Sequence, residues 1–344
     1  MGKKMVALMV GMALTITGTA AACGTAESES VGPNSSSPPD DGGRLVVATT
    51  VAPVTSIAAA VIGDRADIEG IVPEGTNSHT FEPPPRTAEL LSKADVVFLN
   101  GLQLEEPTRQ MAEANADEET TIVELGERTI DADQYLYDFS FPEDGGKPNP
   151  HLWTDPSLVR RYAEIIRDTM SERDPSGTAV YEANFQRYSD ALAELDQAMR
   201  ESFASLPSED RKLLTYHDAY AYFAQTYDWT VVGAIQVSDF GDPSPREVAG
   251  LIDQVRTEGV KAVFGSEVFP SPVLEQIGRE TGVRYVDTLR DDDLPGEPGE
   301  PDHSLIGLLR YDYLTLTEAL GGDAAALAEL DVSFSVQDQA TYPQ

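Results

Sequence analysis

The stretch from Thr178 to Leu206 contains neither glycine nor proline, although the whole chain has 27 glycines and 23 prolines. Within it, large apolar side chains recur at intervals of three and four residues, which places them on one face of an α-helix. The pattern predicts one long amphipathic helix over residues 176–206, whose apolar stripe packs in a core and carries no chemistry. The stripe consists of Tyr181, Phe185, Tyr188, Leu192, Leu195 and Met199.

On each side of this helix, short runs rich in valine and isoleucine alternate with longer helical patterns. This alternation is typical of βα units that build parallel sheets. We therefore predict an α/β fold of two Rossmann-like lobes with parallel sheets, residues 44–175 and 207–344, joined by the long helix. The predicted strands are Leu45–Thr49, Ile68–Val72, Asp95–Asn100, Thr121–Leu125, Lys212–Tyr216, Trp229–Ile235, Lys261–Phe264 and Arg284–Asp287.

The N-terminal segment indicates export from the cytoplasm. Two lysines precede a run of apolar and small residues, the order expected of a signal peptide over residues 1–22. Three alanines precede Cys23, a context in which cleavage leaves a lipid-modified cysteine at the mature N-terminus. Residues 23–43 are rich in Ser, Pro, Asp and Gly and predict a flexible linker. We expect an extracytoplasmic protein that is lipid-anchored in a periplasm or on the cell surface, with plain secretion as the alternative.

The cysteine count and the net charge exclude several functions. Because Cys23 is the only cysteine, the chain can form neither an internal disulfide nor a cysteine-based zinc site. The formal net charge is −35, and removal of the two lysines in residues 1–22 makes the mature chain −37. A protein with this charge is not expected to bind nucleic acid. The acids are spread along the chain, which fits solubility better than attraction of cations to a site.

Three of the four histidines lie where strands end or helices begin. His79 follows the second predicted strand, His151 lies in a proline-bounded loop before a helix, and His217 follows the first strand of the second lobe. Ligands of open α/β sheets bind at the carboxyl ends of strands, so these imidazoles are expected to converge in the cleft. Asp287 ends a predicted strand and adds a carboxylate. This donor set suits Zn²⁺, although each residue alone also fits an ordinary hydrogen-bonding or capping role.

Six motifs occur in one order along the chain: Gly75-Thr76-Asn77-Ser78-His79-Thr80-Phe81-Glu82-Pro83, Ala94-Asp95-Val96-Val97-Phe98-Leu99-Asn100-Gly101-Leu102, Asn149-Pro150-His151-Leu152-Trp153-Thr154-Asp155-Pro156, Tyr181-x-x-Asn184-x-x-x-Tyr188, His217-Asp218-Ala219-Tyr220-x-Tyr222-Phe223 and Phe264-x-x-Glu267. Together they resemble the metal-binding solute receptors of bacterial zinc and manganese ABC importers, two-lobed lipoproteins bridged by one rigid helix. The resemblance covers nearly the whole mature chain. It implies that His79, His151, His217 and Asp287 are the metal ligands. It also implies that the protein is no enzyme but delivers its ion to the permease and ATPase subunits of an importer.

The resemblance also bears on the ion and on neighbouring carboxylates. Family members have His or Glu at the third ligand position, and His217 favours zinc, with manganese second, because imidazole is a softer donor than a carboxylate. Residues 131–147 contain no histidine, so the histidine-rich loop of many zinc-binding members is missing. Glu82 and Glu267 either accept hydrogen bonds from ligand imidazoles or hold loops. We expect a monomer that contacts the membrane only through its N-terminal lipid.

Two other functions stay open at this point. A zinc hydrolase uses similar ligands, but it needs an open coordination position and a general base, and the chain lacks His-Glu-x-x-His, Gly-x-Ser-x-Gly and phosphate-loop motifs. An adhesin on the same scaffold is the other alternative. His303 matches no ligand motif and is expected to be exposed, and residues 291–302 are expected to form a mobile acidic loop rather than a calcium site.

Overall fold

The described part of the chain comprises residues 44–236, 243–266, 271–333 and 338–343 of a computed structural model. The signal peptide, the linker with Cys23, and Glu267 lie outside these residues, so the predictions made for them stay predictions. In the described ranges, no helix combines the length and the apolar character needed to cross a bilayer.

The first half of the chain forms a four-stranded parallel sheet in the order β2-β1-β3-β4. Strand β3, Val-Val-Phe-Leu, is buried along its whole length, as expected of a strand covered by helices on both faces. Most connections between neighbouring strands contain a helix. The elements are β1 (Leu45–Thr49), α1 (Ala52–Ile62), β2 (Ala66–Gly70), α2 (Pro85–Leu91), β3 (Val96–Leu99), α3 (Glu106–Asn115), β4 (Thr121–Glu124), α4 (Leu125–Thr129) and α5 (Pro156–Arg173).

The second half repeats this arrangement with the order β6-β5-β7-β8, again with parallel pairing throughout. The two sheets therefore place the carboxyl ends of their strands, where ligands bind, at one edge each. The elements that follow α5 are α6 (Thr178–Ala204), β5 (Lys212–Thr215), α7 (Ala221–Tyr227), β6 (Thr230–Ala234), α8 (Pro245–Glu258), β7 (Ala262–Ser266), α9 (Pro272–Thr281), β8 (Arg284–Leu289), α10 (Leu305–Ala319) and α11 (Ala325–Ala328).

Helix α6 contains 27 residues and joins the two halves. It packs against α1 and α5 of the first lobe and against α10 and α11 of the second. Its buried face contains the predicted apolar stripe, so its hydrophobic contacts belong to one core that extends into both lobes. A long helix with a continuous buried face resists bending, because bending would expose apolar surface on one side.

The last residues of the chain return to the first sheet. Thr341 donates its backbone N–H to the carbonyl of Ile68 at 2.9 Å and accepts from the N–H of Gly70 at the same distance. The end of the second lobe is thus attached to the edge strand of the first. A single bridge of this kind also covers part of an otherwise unpaired strand edge.

The predicted α/β fold with two parallel sheets and a long connecting helix is confirmed. Strand β1 has the predicted bounds, and most other strands differ from their predicted ranges by a few residues. One difference affects the site: β8 continues to Leu289, two residues beyond its predicted end at Asp287. Helices α3 and α7, which the sequence pattern did not indicate, follow β3 and β5.

Candidate metal centre

Three loops bring His79, His151 and His217 together. His79 lies in a 3₁₀ turn in the loop after β2, where the side chain of Asn77 accepts a hydrogen bond from its backbone N–H. His151 immediately precedes the turn that leads into α5, and His217 follows the end of β5 by two residues. Among the described residues, these three histidines are the one group of His, Cys, Asp and Glu side chains arranged closely enough to hold a metal ion.

The Nε2 atoms of the three rings face one another. They lie 2.8 Å apart between His151 and His217, 3.2 Å between His79 and His151, and 3.4 Å between His79 and His217. Tetrahedral zinc with ligand nitrogens at about 2.0–2.1 Å requires those nitrogens to be about 3.3–3.4 Å apart. Two of the three separations agree with this value, and the third would have to lengthen by about half an ångström to meet it.

Two side-chain amides fix the tautomers of the buried imidazoles. Nδ1 of His151 donates to Oδ1 of Asn149 at 2.7 Å, and Nδ1 of His217 donates to Oε1 of Gln236 at 2.7 Å. A neutral imidazole that carries its proton on Nδ1 has a lone pair on Nε2. The two closest Nε2 atoms therefore direct lone pairs toward each other, an arrangement that a cation between them would stabilise.

The surroundings of the site favour the neutral forms of His79 and His151. Burial is the main cause that lowers the pKa values of His79 and His151 well below the usual 6.5, and the positive charge that neighbouring His217 would carry acts in the same direction. Phe141 and Trp153 contribute to this environment. The ring of Phe141 lies 5.5 Å from that of His79, and the ring of Trp153 lies 5.0 Å from that of His151.

On the side of His151 away from the other rings, Asn149 connects to two aspartates, Asp138 and Asp218. Its Nδ2 donates to Oδ2 of Asp138 at 3.0 Å and to the backbone carbonyl of Asp218 at 2.7 Å. Burial raises the pKa of Asp138 to about 9, with neighbouring Asp218 adding to the effect, and burial also raises the pKa of Asp218. Burial therefore disfavours the presence of two negative charges on this pair.

The structure does not bring Asp287 to the three histidines. The strand in which it lies continues to Leu289, so Asp287 is an exposed mid-strand residue rather than a residue at the carboxyl edge. Asp292, three residues after the end of β8, lies there instead. Its Oδ1 is 3.9 Å from Nε2 of His217, is buried, and has no hydrogen-bond partner among the described residues.

Hydrogen bonds from the first lobe hold the segment that carries Asp292. Ser78, next to His79, donates to Oδ2 of Asp292 at 2.9 Å, and the N–H of Gly75 donates to Oδ2 of Asp293 at 2.9 Å. Asp291 has a left-handed backbone with φ of 55°. Burial raises the pKa of Asp292 above 3.8 and that of Asp293 to about 7. Residues 291–293 are therefore held against the first lobe, and the exposed part of the predicted acidic loop comprises residues 296–302.

His303 is buried, which contradicts its predicted exposure. Its Nδ1 lies 3.3 Å from the carbonyl of Pro295, and its ring packs edge-on against Tyr342 near the end of the chain. Its Nε2 lies 3.9 Å from a carboxylate oxygen of Glu74. His303 thus fixes the end of the loop that begins with Asp292, and it does not belong to the histidine group.

Glu82 lies at the mouth of the site. It is exposed, and together with His79, Phe141 and Lys147 it lines a cavity of about 370 Å³ that opens beside the histidines. The amides of Asn149 and Gln236, rather than Glu82, hold the Nδ1 atoms of His151 and His217. Asn149 could have been found from its place in the Asn-Pro-His motif. Gln236 has no such signal, because it follows β6 and is distant in sequence from every histidine.

Comparisons with known proteins agree with this geometry. Residues 47–319 match the model of the family described as the periplasmic component A of the zinc-uptake complex, ZnuA. The manganese-binding lipoprotein MntA of Halalkalibacterium halodurans is 28% identical over 276 residues, which is 80% of this chain and 88% of that protein. The iron-binding protein YfeA of Yersinia pestis is 29% identical over 284 residues, 83% of this chain and 89% of that protein.

Solved structures agree on the fold. The periplasmic zinc-binding protein TroA of Treponema pallidum superposes with a TM-score of 0.73 at 22% identity, over 81% of this chain and 99% of its own. A manganese-bound periplasmic metal-binding protein of Candidatus Liberibacter asiaticus gives 0.71 at 24% identity, over 80% and 99%. The family model alone covers well over half of the chain. The chain therefore belongs to the family of the periplasmic zinc-uptake component A, and it is an extracytoplasmic metal-binding receptor of an ABC transporter rather than an enzyme.

Proposed function

We propose that this protein captures one divalent transition-metal ion, with zinc preferred over manganese, through His79, His151, His217 and Asp292. The observation that carries the proposal is the convergence of three Nε2 atoms within 3.4 Å of one another while amide acceptors hold the Nδ1 protons of His151 and His217. Lone pairs so close together repel in the absence of a cation. A dication at their centre turns this repulsion into coordination.

Asp292 supports a fourth ligand position. Its Oδ1 has no hydrogen-bond partner among the described residues and lies 3.9 Å from Nε2 of His217, about half an ångström beyond the separation in a zinc tetrahedron. A small shift of its loop brings it into coordination. The negative charge also reduces the net charge of the bound ion, which a set of three neutral imidazoles does not. We therefore propose Asp292, and not Asp287, as the carboxylate ligand.

The donor set supports zinc as the preferred ion. Three imidazole nitrogens and one carboxylate oxygen match the ligands and the four-coordination that Zn²⁺ prefers, whereas Mn²⁺ prefers more oxygen ligands. The names of relatives point to manganese and iron, so cellular supply rather than the site alone can determine which ion is carried. Manganese is the second candidate.

We further propose that the protein hands its ion to the permease of an importer powered by an ATPase. A lipid on Cys23 would hold it at the membrane, and the linker over residues 23–43 would let it reach the permease. Tethering raises the effective concentration of the receptor at its partner without any additional contact. The related lipoproteins are named as substrate-binding components of metal ABC transporters, which supports this arrangement.

Metal analysis of the purified protein, followed by competitive titration with Zn²⁺ and Mn²⁺, tests the proposal. We expect one ion per chain and tighter binding of zinc. His217→Ala should weaken binding of both ions, because it removes one of three nitrogens. A protein that binds neither ion, or a His217→Ala variant with unchanged affinity, would contradict the proposed site.

A further inference from the structure

Ser140 is a residue of the first lobe that contacts the groups holding a candidate ligand of the second. It lies in the segment between α4 and α5 and is 4% exposed. Its Oγ donates to the backbone carbonyl of Gln236 at 2.5 Å, and its backbone N–H donates to Oδ2 of Asp218 at 2.8 Å. Gln236 and Asp218 both belong to the second lobe, and both are buried.

Gln236 holds the imidazole ring of His217 directly. Oε1 of Gln236 accepts the Nδ1 proton of His217, and the N–H of Gln236 donates to the carbonyl of Tyr216 at 3.0 Å. Asp218 is the next residue along the chain. A displacement of the carbonyl of Gln236 by a few tenths of an ångström would move its side chain and rotate the imidazole, because the hydrogen bond at 2.7 Å leaves little freedom.

We propose that Ser140 is a positioning residue for metal binding, which acts through Gln236 to orient the imidazole of His217. The inference rests on the proposed metal site. It adds a route by which the relative position of the lobes controls the ligand geometry. When the segment of Ser140 moves away, Gln236 loses the hydrogen bond from Ser140, and the imidazole of His217 turns away from the ion. Loss of a group that orients a metal-ligating histidine typically weakens binding 10–100-fold.

Ser140→Ala removes the hydroxyl and keeps the backbone N–H that contacts Asp218. The matched control is Ser205→Ala at the end of α6. The hydroxyl of Ser205 also donates to a backbone carbonyl at 2.5 Å, and its other hydrogen bond is to the backbone N–H of Asp323 rather than to a residue that holds a histidine. Both full-length variants are loaded with Co²⁺, whose visible absorption reports ligand geometry. The rate of metal dissociation into excess chelator is then measured.

We expect Ser140→Ala to alter the Co²⁺ spectrum and to accelerate dissociation about 10-fold, while Ser205→Ala leaves both within twofold of wild type. Ser140→Thr, which keeps the hydroxyl, should restore the wild-type spectrum. In a Gln236→Ala background, Ser140→Ala should change the dissociation rate less than twofold, because the two residues act in series.

A Ser140→Ala variant with the wild-type spectrum and dissociation rate would overturn the inference, and so would effects of Ser140→Ala and Gln236→Ala that simply multiply. Both outcomes leave the proposed function intact, since metal is still bound. A wild-type protein that takes up no Co²⁺ or Zn²⁺ would instead overturn the proposed function and this inference with it.

Discussion

Replacement of Asp292 by asparagine separates the role of this residue in metal binding from its role in the fold. The variant keeps the shape of the side chain and an oxygen that can accept the hydrogen bond from Ser78. It removes a negative charge whose Oδ1 lies 3.9 Å from Nε2 of His217 and has no hydrogen-bond partner among the described residues. The substitution should therefore weaken metal binding without destabilising the metal-free protein.

The magnitudes follow from the environment of the carboxylate. Loss of a group that merely orients a ligand costs 10–100-fold in affinity, so loss of a charged ligand should cost at least about 100-fold, or about 2.8 kcal/mol. In the metal-free protein, burial raises the pKa of Asp292, which means that the charged form is disfavoured there. Asparagine carries no charge, so the metal-free variant should be as stable as wild type or more stable by on the order of 1 kcal/mol.

Competition titrations with a zinc chelator measure the first quantity, and urea unfolding in the presence of a strong chelator measures the second. Asp287→Asn is the control, because it makes the same chemical change at an exposed position of β8. It should leave zinc affinity within threefold of wild type. The reasoning is refuted if Asp292→Asn binds zinc within threefold of wild type, or if Asp287→Asn weakens binding as strongly.

Three further predictions concern other parts of the site and the core. His217→Glu should lower the ratio of zinc to manganese affinity by about 10-fold, because an oxygen donor replaces a nitrogen; an unchanged ratio in competitive titrations would argue against His217 as a ligand. Asn149→Ala should weaken zinc binding 10–100-fold by releasing Nδ1 of His151, which the same titrations would detect. Burial raises the pKa of Glu105 to about 7. The folded state therefore keeps a proton that the unfolded state loses above about pH 4.5. The free energy of unfolding consequently falls as the pH rises from about 4.5 to about 7. Between pH 5 and 8, urea unfolding should show wild type losing about 2–3 kcal/mol more than Glu105→Gln, and equal losses would contradict this reasoning.

The lobes and the long helix could be predicted from the sequence because local patterns determine them. A stretch free of glycine and proline, with apolar residues every three or four positions, predicts a single long helix. Helix α8 has equally clear ends: Ser244 and Glu247 form a capping box at its start, and Gly259 adopts a left-handed conformation at its end. Capping chemistry of this kind is local, so it is visible in the sequence.

The place of Asp292 could not be predicted, because β8 breaks the alternation on which strand prediction depends. Phe264 pairs with Val286, but Ser266 pairs with Leu289, so β8 has one residue more than its partner. Such a bulge shifts the side chains from one face to the other. The alternating pattern therefore ends at Asp287, two residues before the carboxyl end of the strand.

His303 illustrates a different limit. Its burial depends on Tyr342 and on the carbonyl of Pro295, and Tyr342 belongs to the segment that returns to the first sheet. A tertiary contact between a loop and the end of the chain leaves no periodic signal in either segment. The same is true of Gln236 and His217, whose pairing depends on two neighbouring strands of one parallel sheet.

The contacts around the site limit how an ion can enter and leave. Segments that carry the proposed ligands of one lobe are held by groups of the other: Nε1 of Trp153 donates to the carbonyl of Asp291 at 3.2 Å, and Oγ1 of Thr154 donates to the carbonyl of Ala219 at 3.2 Å. Both donors are buried, so a wide opening of the cleft would leave several polar groups unsatisfied at once, each at a cost of about 1–3 kcal/mol. Helix α6, buried against both lobes, opposes the same motion. A displacement confined to the segment of Asp292 leaves the packing of α6 and the contact of Thr154 with Ala219 in place, and it removes the charged ligand first. We therefore expect the ion to be released by a local shift of this segment rather than by a hinge motion of whole lobes.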